Sequence, residues 1–239
     1  MRGFCPSCLA RRMNDEAAHL VDHVLPQASY RQWVLSLPFQ LRYRMAFDPA
    51  LMSFALKVMQ QEIASFKKKR ARRIQVPNPK LGAVSFIQRF GSALNLNVHF
   101  HVLVSDGVFS KIGDRYHFYR LPMPNQSELF ELVQKIKTRV LKKAQAKQAF
   151  DQSQFDENEL GTLAKSSIEQ KAIFGEKSGE KLRRFGAKNI FVDLDGNDPT
   201  TANVDGFSLN ARVGIRKNER KKLEQLIRYM ARGPIGMGL

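Results

Sequence analysis

An α+β fold, an antiparallel sheet covered by helices on one face, is what the periodicities of this chain predict. Three observations carry the prediction. Residues 31–37, with Gln-Trp-Val-Leu-Ser-Leu following Arg31, read as a strand closed by Pro38. Residues 82–90 and 97–109 read as two strands of a hairpin. Helical spacing governs the stretches after Asp48, after Ser127 and after Asn218. Hairpin-linked strands alternating with helices favour a sheet whose helices share one face, leaving the opposite face for a ligand.

Each element has its own signal. Residues 1–25 hold a Cys-Pro-Ser-Cys knuckle (Cys5, Cys8) and then a helical stretch over 15–24 ended by Pro26, and they read as an appendage. Asp48-Pro49 supplies an N-cap and a first-turn proline for a long helix with Leu51, Phe54, Ala55, Val58, Met59, Ile63 and Phe66 on one stripe. That helix runs into Lys67, Lys68, Lys69, Arg70, Arg72 and Arg73. Such a block is either a solvated helix end or an arm that tracks phosphates, and the charge of the whole chain favours the arm. The second hairpin strand bends at Asp106-Gly107; residues 115–121 form a further strand and 127–148 a basic helix. Residues 149–205 are polar and aperiodic and read as an insertion, with a short helix near 157–170. A strand over 206–215 and a helix over 218–231, stopped by Gly233-Pro234, complete the series. The division expected is 1–25 as one unit and 26–239 as the main domain, with the insertion at about 149–205.

Lys and Arg total 39 against 22 Asp and Glu, a formal charge of +17 with pI near 10.1. Such an excess concentrates polyanions and makes binding salt-dependent through counterion release. Nucleic acid is the expected partner, and the charge argues against a small-molecule phosphoesterase. No apolar run approaches the roughly 20 residues that span a bilayer, and the first ten residues lack the apolar core of a secretory signal. With only two cysteines, a disulfide framework is not expected. The expected location is cytoplasmic and nucleoid-associated, with no membrane partner.

Chemistry concentrates in Asn97-Val98-His99-Phe100-His101-Val102-Leu103-Val104. Strand alternation puts Val98, Phe100, Val102 and Val104 on one face and His99 and His101 on the other. Two imidazoles so placed can chelate a divalent cation, Mg²⁺ or Mn²⁺ for phosphodiester chemistry; they can equally be two hydrogen-bonded strand histidines. Tyr229 lies at the edge of the apolar stripe Leu223, Leu226, Ile227 and Met230, with Lys222 and Arg232 in neighbouring sectors. It reads as a nucleophile assisted by positive charge or as an amphipathic residue at a core boundary.

Four blocks resemble the transposases of rolling-circle insertion sequences, members of the His-hydrophobic-His (HUH) endonuclease superfamily. They are Gly82 through Leu103 with its Asn-Val-His-Phe-His-Val; Arg31-Gln32-Trp33-Val34-Leu35-Ser36-Leu37-Pro38; Asp205-Gly206-Phe207-Ser208-Leu209; and Leu226-Ile227-Arg228-Tyr229-Met230-Ala231-Arg232. The resemblance covers nearly the whole chain, weakly over 110–200. It implies a ferredoxin-like or RNA-recognition-like palm that nicks and transfers single-stranded DNA at element ends and target. It also implies His99 and His101 as metal ligands, and Tyr229 as the nucleophile that forms a 5′-phosphotyrosine. Related nucleases complete the metal site with Gln, Glu, Asp or His, and Gln88 is the candidate here.

Three departures bear on activity. Some members carry two tyrosines four residues apart, whereas Gln225 stands at the earlier position, so this chain resembles the single-tyrosine variety. The family's N-terminal zinc region has more ligands than Cys5 and Cys8, so a Zn²⁺ site is expected to be an incomplete remnant. His19 and His23 are the alternative completion. The family also continues past the tyrosine helix, so the chain reads as truncated at both ends. The alternative function is accordingly a fragment that binds DNA without cutting it. A structural RNA-associated protein suits the charge but leaves the histidines and tyrosine unexplained.

Overall fold

The computed structural model of the chain describes residues 6–91, 96–146 and 198–232. Strand β1 (Tyr30–Ser36) pairs antiparallel with β3 (Leu96–Ser105), from Tyr30 opposite Ser105 to Ser36 opposite His99. On the far side of β3 lies β2 (Ala83–Phe90), and beyond β1 lie β7 (Phe207–Asn210) and β6 (Thr201–Val204). The order is β2-β3-β1-β7-β6, with the short β8 (Gly214–Ile215) paired to the start of β1. The chain is therefore α+β with an antiparallel sheet.

Alternation decides which residues are core. Trp33 and Leu35 of β1, Val98, Phe100 and Val102 of β3, and Phe207 and Leu209 of β7 are buried on one face. Against them pack α2 (Phe39–Phe47), α3 (Pro49–Arg73) and α4 (Gln126–Ala146). The caps of α3 and α4 explain where these helices begin. Asp48 Oδ1 accepts from the Leu51 amide at 2.9 Å, with Pro49 in the first turn. At α4, Asn125 Oδ1 accepts from the Glu128 amide at 2.9 Å while Glu128 Oε2 accepts from the Asn125 amide at 3.0 Å, a reciprocal capping box.

The other face is not left open, contrary to the expectation of helices on one side only. The N-terminal stretch forms α1 (Pro6–His19) and a π-helical turn (Leu20–Val24), and both pack with α5 (Arg220–Met230). Ala17, Val21 and Leu25 join Leu223, Leu226, Ile227 and Met230 in a second core over Tyr30, Leu103 and Ile215. Arg220 donates to the carbonyls of Val21, Leu25 and Pro26, so this segment is tied to α5. These contacts form because that sheet face still carries apolar residues beside its polar ones, and the apolar stripe of α5 must be buried somewhere.

Smaller differences follow from local chemistry. The nine-residue α2 between Pro38 and Asp48 has no counterpart in the sequence pattern, because its Leu41 and Met45 give too short an apolar stripe to read. The strand expected over 97–109 divides at Asp106. From Gly107 the chain forms β4 (Gly107–Ile112), paired with β5 (Arg115–Arg120) in a separate two-stranded sheet. A Cβ on Gly107 would lie 2.2 Å from the Tyr119 carbonyl oxygen, so only glycine allows this approach. The strand expected over 206–215 is likewise divided into β7 and β8, and β6 falls within the stretch expected to be insertion. The helix expected near 157–170 lies outside the described residues. Among the described residues no helix is long and apolar enough to cross a membrane.

Candidate metal and tyrosine site

Three strands and α5 converge on the histidines. His99 and His101 lie on the face away from Trp33, at 9% and 1% exposure, with ring centroids 4.9 Å apart. Gln88 is directly opposite His99 in the β2–β3 register and shares its face. Gln32 of β1, on the same side of the sheet, brings its Nε2 to 2.7 Å from His101 Nδ1. From above, Tyr229 sets its ring edge-on to His101, with centroids 5.7 Å apart at 90°.

The polar atoms here are unevenly satisfied. His99 Nδ1 is 2.7 Å from the Asn97 carbonyl oxygen; donating to it leaves the Nε2 lone pair for a ligand. Gln88 Nε2 donates to the carbonyls of Tyr229 and Met230 at 3.1 and 3.0 Å, fastening the last turn of α5 to β2. Its Oε1, and His101 Nε2, are buried without a hydrogen-bond partner among the described residues. Buried polar atoms left so cost about 1–3 kcal/mol each, and a cation would offset that cost wherever the atom presents a lone pair. Two imidazole nitrogens and an amide oxygen are donor types that a divalent ion accepts. Among the described residues, no three His, Cys, Asp or Glu side chains gather for a metal.

Burial and nearby positive charge favour the neutral form of both imidazoles. Burial lowers the pKa of His99, assisted by the charges of Arg232 and Arg42 against the raising effect of the Asn97 hydrogen bond. His101 is held well below its ordinary value, chiefly by burial and then by His99 and Arg232. Arg232 also stacks on the nucleophile candidate, its guanidinium carbon 4.8 Å from the Tyr229 ring centroid. Neither Arg42 nor Gln32 is singled out by the sequence. For Gln32 a signal is present, an amide at an alternating position of an apolar strand; for Arg42 there is none, since α2 itself leaves no readable pattern.

The remaining site residues are dispersed. Lys222 is two helical turns from Tyr229 and pairs with Glu219 at 2.5 Å, so the charge beside the tyrosine comes from Arg232. In the basic block, Lys68, Lys69, Arg72 and Arg73 stay at least partly accessible. Arg70 donates to the Pro122 carbonyl at 3.0 Å and lies 3.6 Å from Glu128. Lys67 turns inward instead and is 3% exposed, donating to the Ser105 carbonyl at 2.8 Å, 3.8 Å from Asp106. Asp106 is held in turn by a two-pronged Arg31 contact, both arms 2.9 Å. Lys67 is thus a structural cation rather than part of a DNA-facing arm. Lys68, Arg72 and Lys80 line a cleft of about 390 Å³ beside the end of α3.

Cys8 is exposed on α1 and Cys5 lies outside the described residues. Among the described residues Cys8, His19 and His23 do not gather in one group. His19 is eleven positions along α1 from Cys8, about 16 Å of axial rise, whereas zinc ligands stand about 2 Å from their metal.

A basic α+β protein with paired strand histidines beneath a helical tyrosine is what the fold and the site define. Residues 82–237 match the family model described as "Putative transposase", nearly two thirds of the chain and all the residues of the candidate site except Gln32 and Arg42. The chain belongs to this transposase family. Neither the curated proteins nor the solved structures gave a match.

Proposed function

We propose that this transposase is a metal-dependent, single-tyrosine nuclease and strand transferase of the rolling-circle type, acting on single-stranded DNA. The observation that carries the reading is the convergence of His99, His101 and Gln88 under Tyr229, with two buried ligand atoms otherwise unmatched. Support for the HUH palm comes from the succession β1, α3, β2, β3, α4, β7, whose strands lie in the order β2-β3-β1-β7, with α3 and α4 on one face.

In this reading His99, His101 and Gln88 would hold Mg²⁺ or Mn²⁺, and the ion would supply charge neutralisation at the scissile phosphate. Arg232, whose guanidinium stacks on the Tyr229 ring, orients the phosphate. The Tyr229 phenolic oxygen attacks phosphorus and its proton leaves to solvent. The bond from phosphorus to the 3′ oxygen breaks; the electron pair departs with that oxygen, which takes a proton from water to become a 3′-hydroxyl. A second 3′-hydroxyl attacks the 5′-phosphotyrosine, restoring a phosphodiester and releasing Tyr229. Lys68, Lys69, Arg72 and Arg73 hold flanking DNA by its phosphates.

The test is incubation of the chain with Mn²⁺ and labelled single-stranded DNA from the element's ends. Nicked product whose new 3′ end a polymerase extends is expected, at least a hundredfold reduced in Tyr229→Phe and in His99→Ala. Cleavage unchanged in Tyr229→Phe contradicts the nucleophile. Salt-sensitive DNA binding without any cleavage would instead fit the reading of a DNA-binding fragment.

A further inference from the structure

The His101–Gln32 contact is unexplained by the site as described. Gln32 is 1% exposed, on a strand whose opposite face is occupied by Trp33 and Leu35, and an uncharged amide there costs desolvation unless it is used. Its terminal group touches Nδ1, the imidazole nitrogen of His101 remote from the orphaned Nε2. Two arrangements fit the 2.7 Å contact, because a half-turn of the amide exchanges its oxygen and nitrogen without moving any other atom.

If the amide nitrogen donates, Nδ1 accepts and the proton of His101 resides on Nε2. That N–H would then be a buried donor without a partner among the described residues, and it would point no lone pair at a metal. If the amide oxygen accepts, Nδ1 carries the proton and Nε2 presents a lone pair. His99 is already in that condition through the Asn97 carbonyl, and Gln88 Oε1 is a further unmatched acceptor on the same face. The second arrangement makes all three donor atoms alike: three lone pairs, none able to satisfy another, all satisfied by one cation.

We infer that Gln32 is a positioning residue whose side-chain oxygen accepts the Nδ1 proton of His101, fixing the tautomer and ring orientation in which Nε2 ligates the metal. The inference rests on the metal-site reading above. The requirement is for an acceptor at this position, whatever its charge, so glutamate serves and a hydrocarbon of similar size does not.

Two measurements test it. The first needs no metal: long-range proton–nitrogen spectra of the imidazole rings in the whole chain at pH 7.5 report which nitrogen is protonated. Protonated Nδ1 is expected at both His99 and His101; protonated Nε2 at His101 overturns the proposal. The second is Mn²⁺ binding by calorimetry to the wild type, Gln32→Leu, Gln32→Glu and His99→Ala. Gln32→Leu is expected to weaken binding about 10–100-fold, and Gln32→Glu to match the wild type or bind more tightly. Loss in Gln32→Glu equal to that in Gln32→Leu, with cooperative melting retained in both, overturns the acceptor role. Equal binding by the wild type and both Gln32 variants, with loss only in His99→Ala, also overturns it while leaving the metal site standing. Mn²⁺ binding that His99→Ala does not weaken removes the metal-site reading and this inference with it.

Discussion

Gln88 has two roles that meet in one side chain. Its nitrogen fastens the carbonyls of Tyr229 and Met230 and its oxygen lies on the histidine side of the sheet, so Gln88→Ala removes an anchor of the tyrosine helix together with the proposed ligand atom. A loss of about 1–3 kcal/mol in urea melts is expected, with Mn²⁺ binding also weakened. Unchanged stability would mean that the last turn of α5 is held by its apolar stripe alone. Lys67 makes a second prediction at this scale. Burial, against the opposing attraction of Asp106, lowers its pKa from 10.5 to about 8. Between those values the unfolded chain holds a proton that the folded chain has released, so stability rises with pH over that window. Wild-type stability should therefore increase from pH 8 to pH 10, by on the order of 2–3 kcal/mol, and Lys67→Met should lack the increase. Above that range Tyr30, pushed up to about 12 by burial, acts in the opposite sense, since the folded chain then keeps a proton that the unfolded chain loses. A wild-type curve as flat as that of Lys67→Met over pH 8 to 10 would contradict the assignment.

Strand β3 is almost fully legible in the sequence because one residue in two is apolar and the histidines fall on the intervening positions. The register that puts Gln88 opposite His99 is not, because it depends on the hairpin connection rather than on either strand's own pattern. The cap of α3 and the stripe of α5 can be read for the same reason as β3: each signal lies within a few residues. α2 and the division at Gly107 depend on contacts with residues far along the chain, which no local pattern records. In α3 the spacing identifies a basic block but cannot tell that Lys67 turns inward to Ser105 while Lys68, Lys69, Arg72 and Arg73 stay toward solvent. This sorting is testable. Neutralising Lys69, Arg72 and Arg73 together to glutamine should weaken single-stranded DNA binding at about 100 mM salt and make the dependence on salt shallower by about 0.7 for each phosphate no longer neutralised. An unaltered salt slope would place the DNA elsewhere.

Across the whole molecule, two apolar cores sandwich one sheet, and the second core is what brings Tyr229 over the histidines. An open ligand face, as the sequence suggests, would leave the tyrosine helix with nowhere to pack. The stripe of α5 is visible in the sequence, but the surface that receives it is not. Charge is distributed on the same scale. Ser105, which Lys67 contacts, is six residues along β3 from His99, about 20 Å, so under the proposed function the basic end of α3 and the tyrosine site would grip different parts of a bound strand. That separation suits a protein that holds flanking DNA while a single phosphate is presented to the tyrosine. The most direct test is mass spectrometry of the chain after reaction with Mn²⁺ and single-stranded end DNA, mapping the nucleotide adduct to a peptide. A 5′-phosphonucleotide on Tyr229 is the predicted result; an adduct on another residue, or cleaved DNA with no adduct at all, would contradict it.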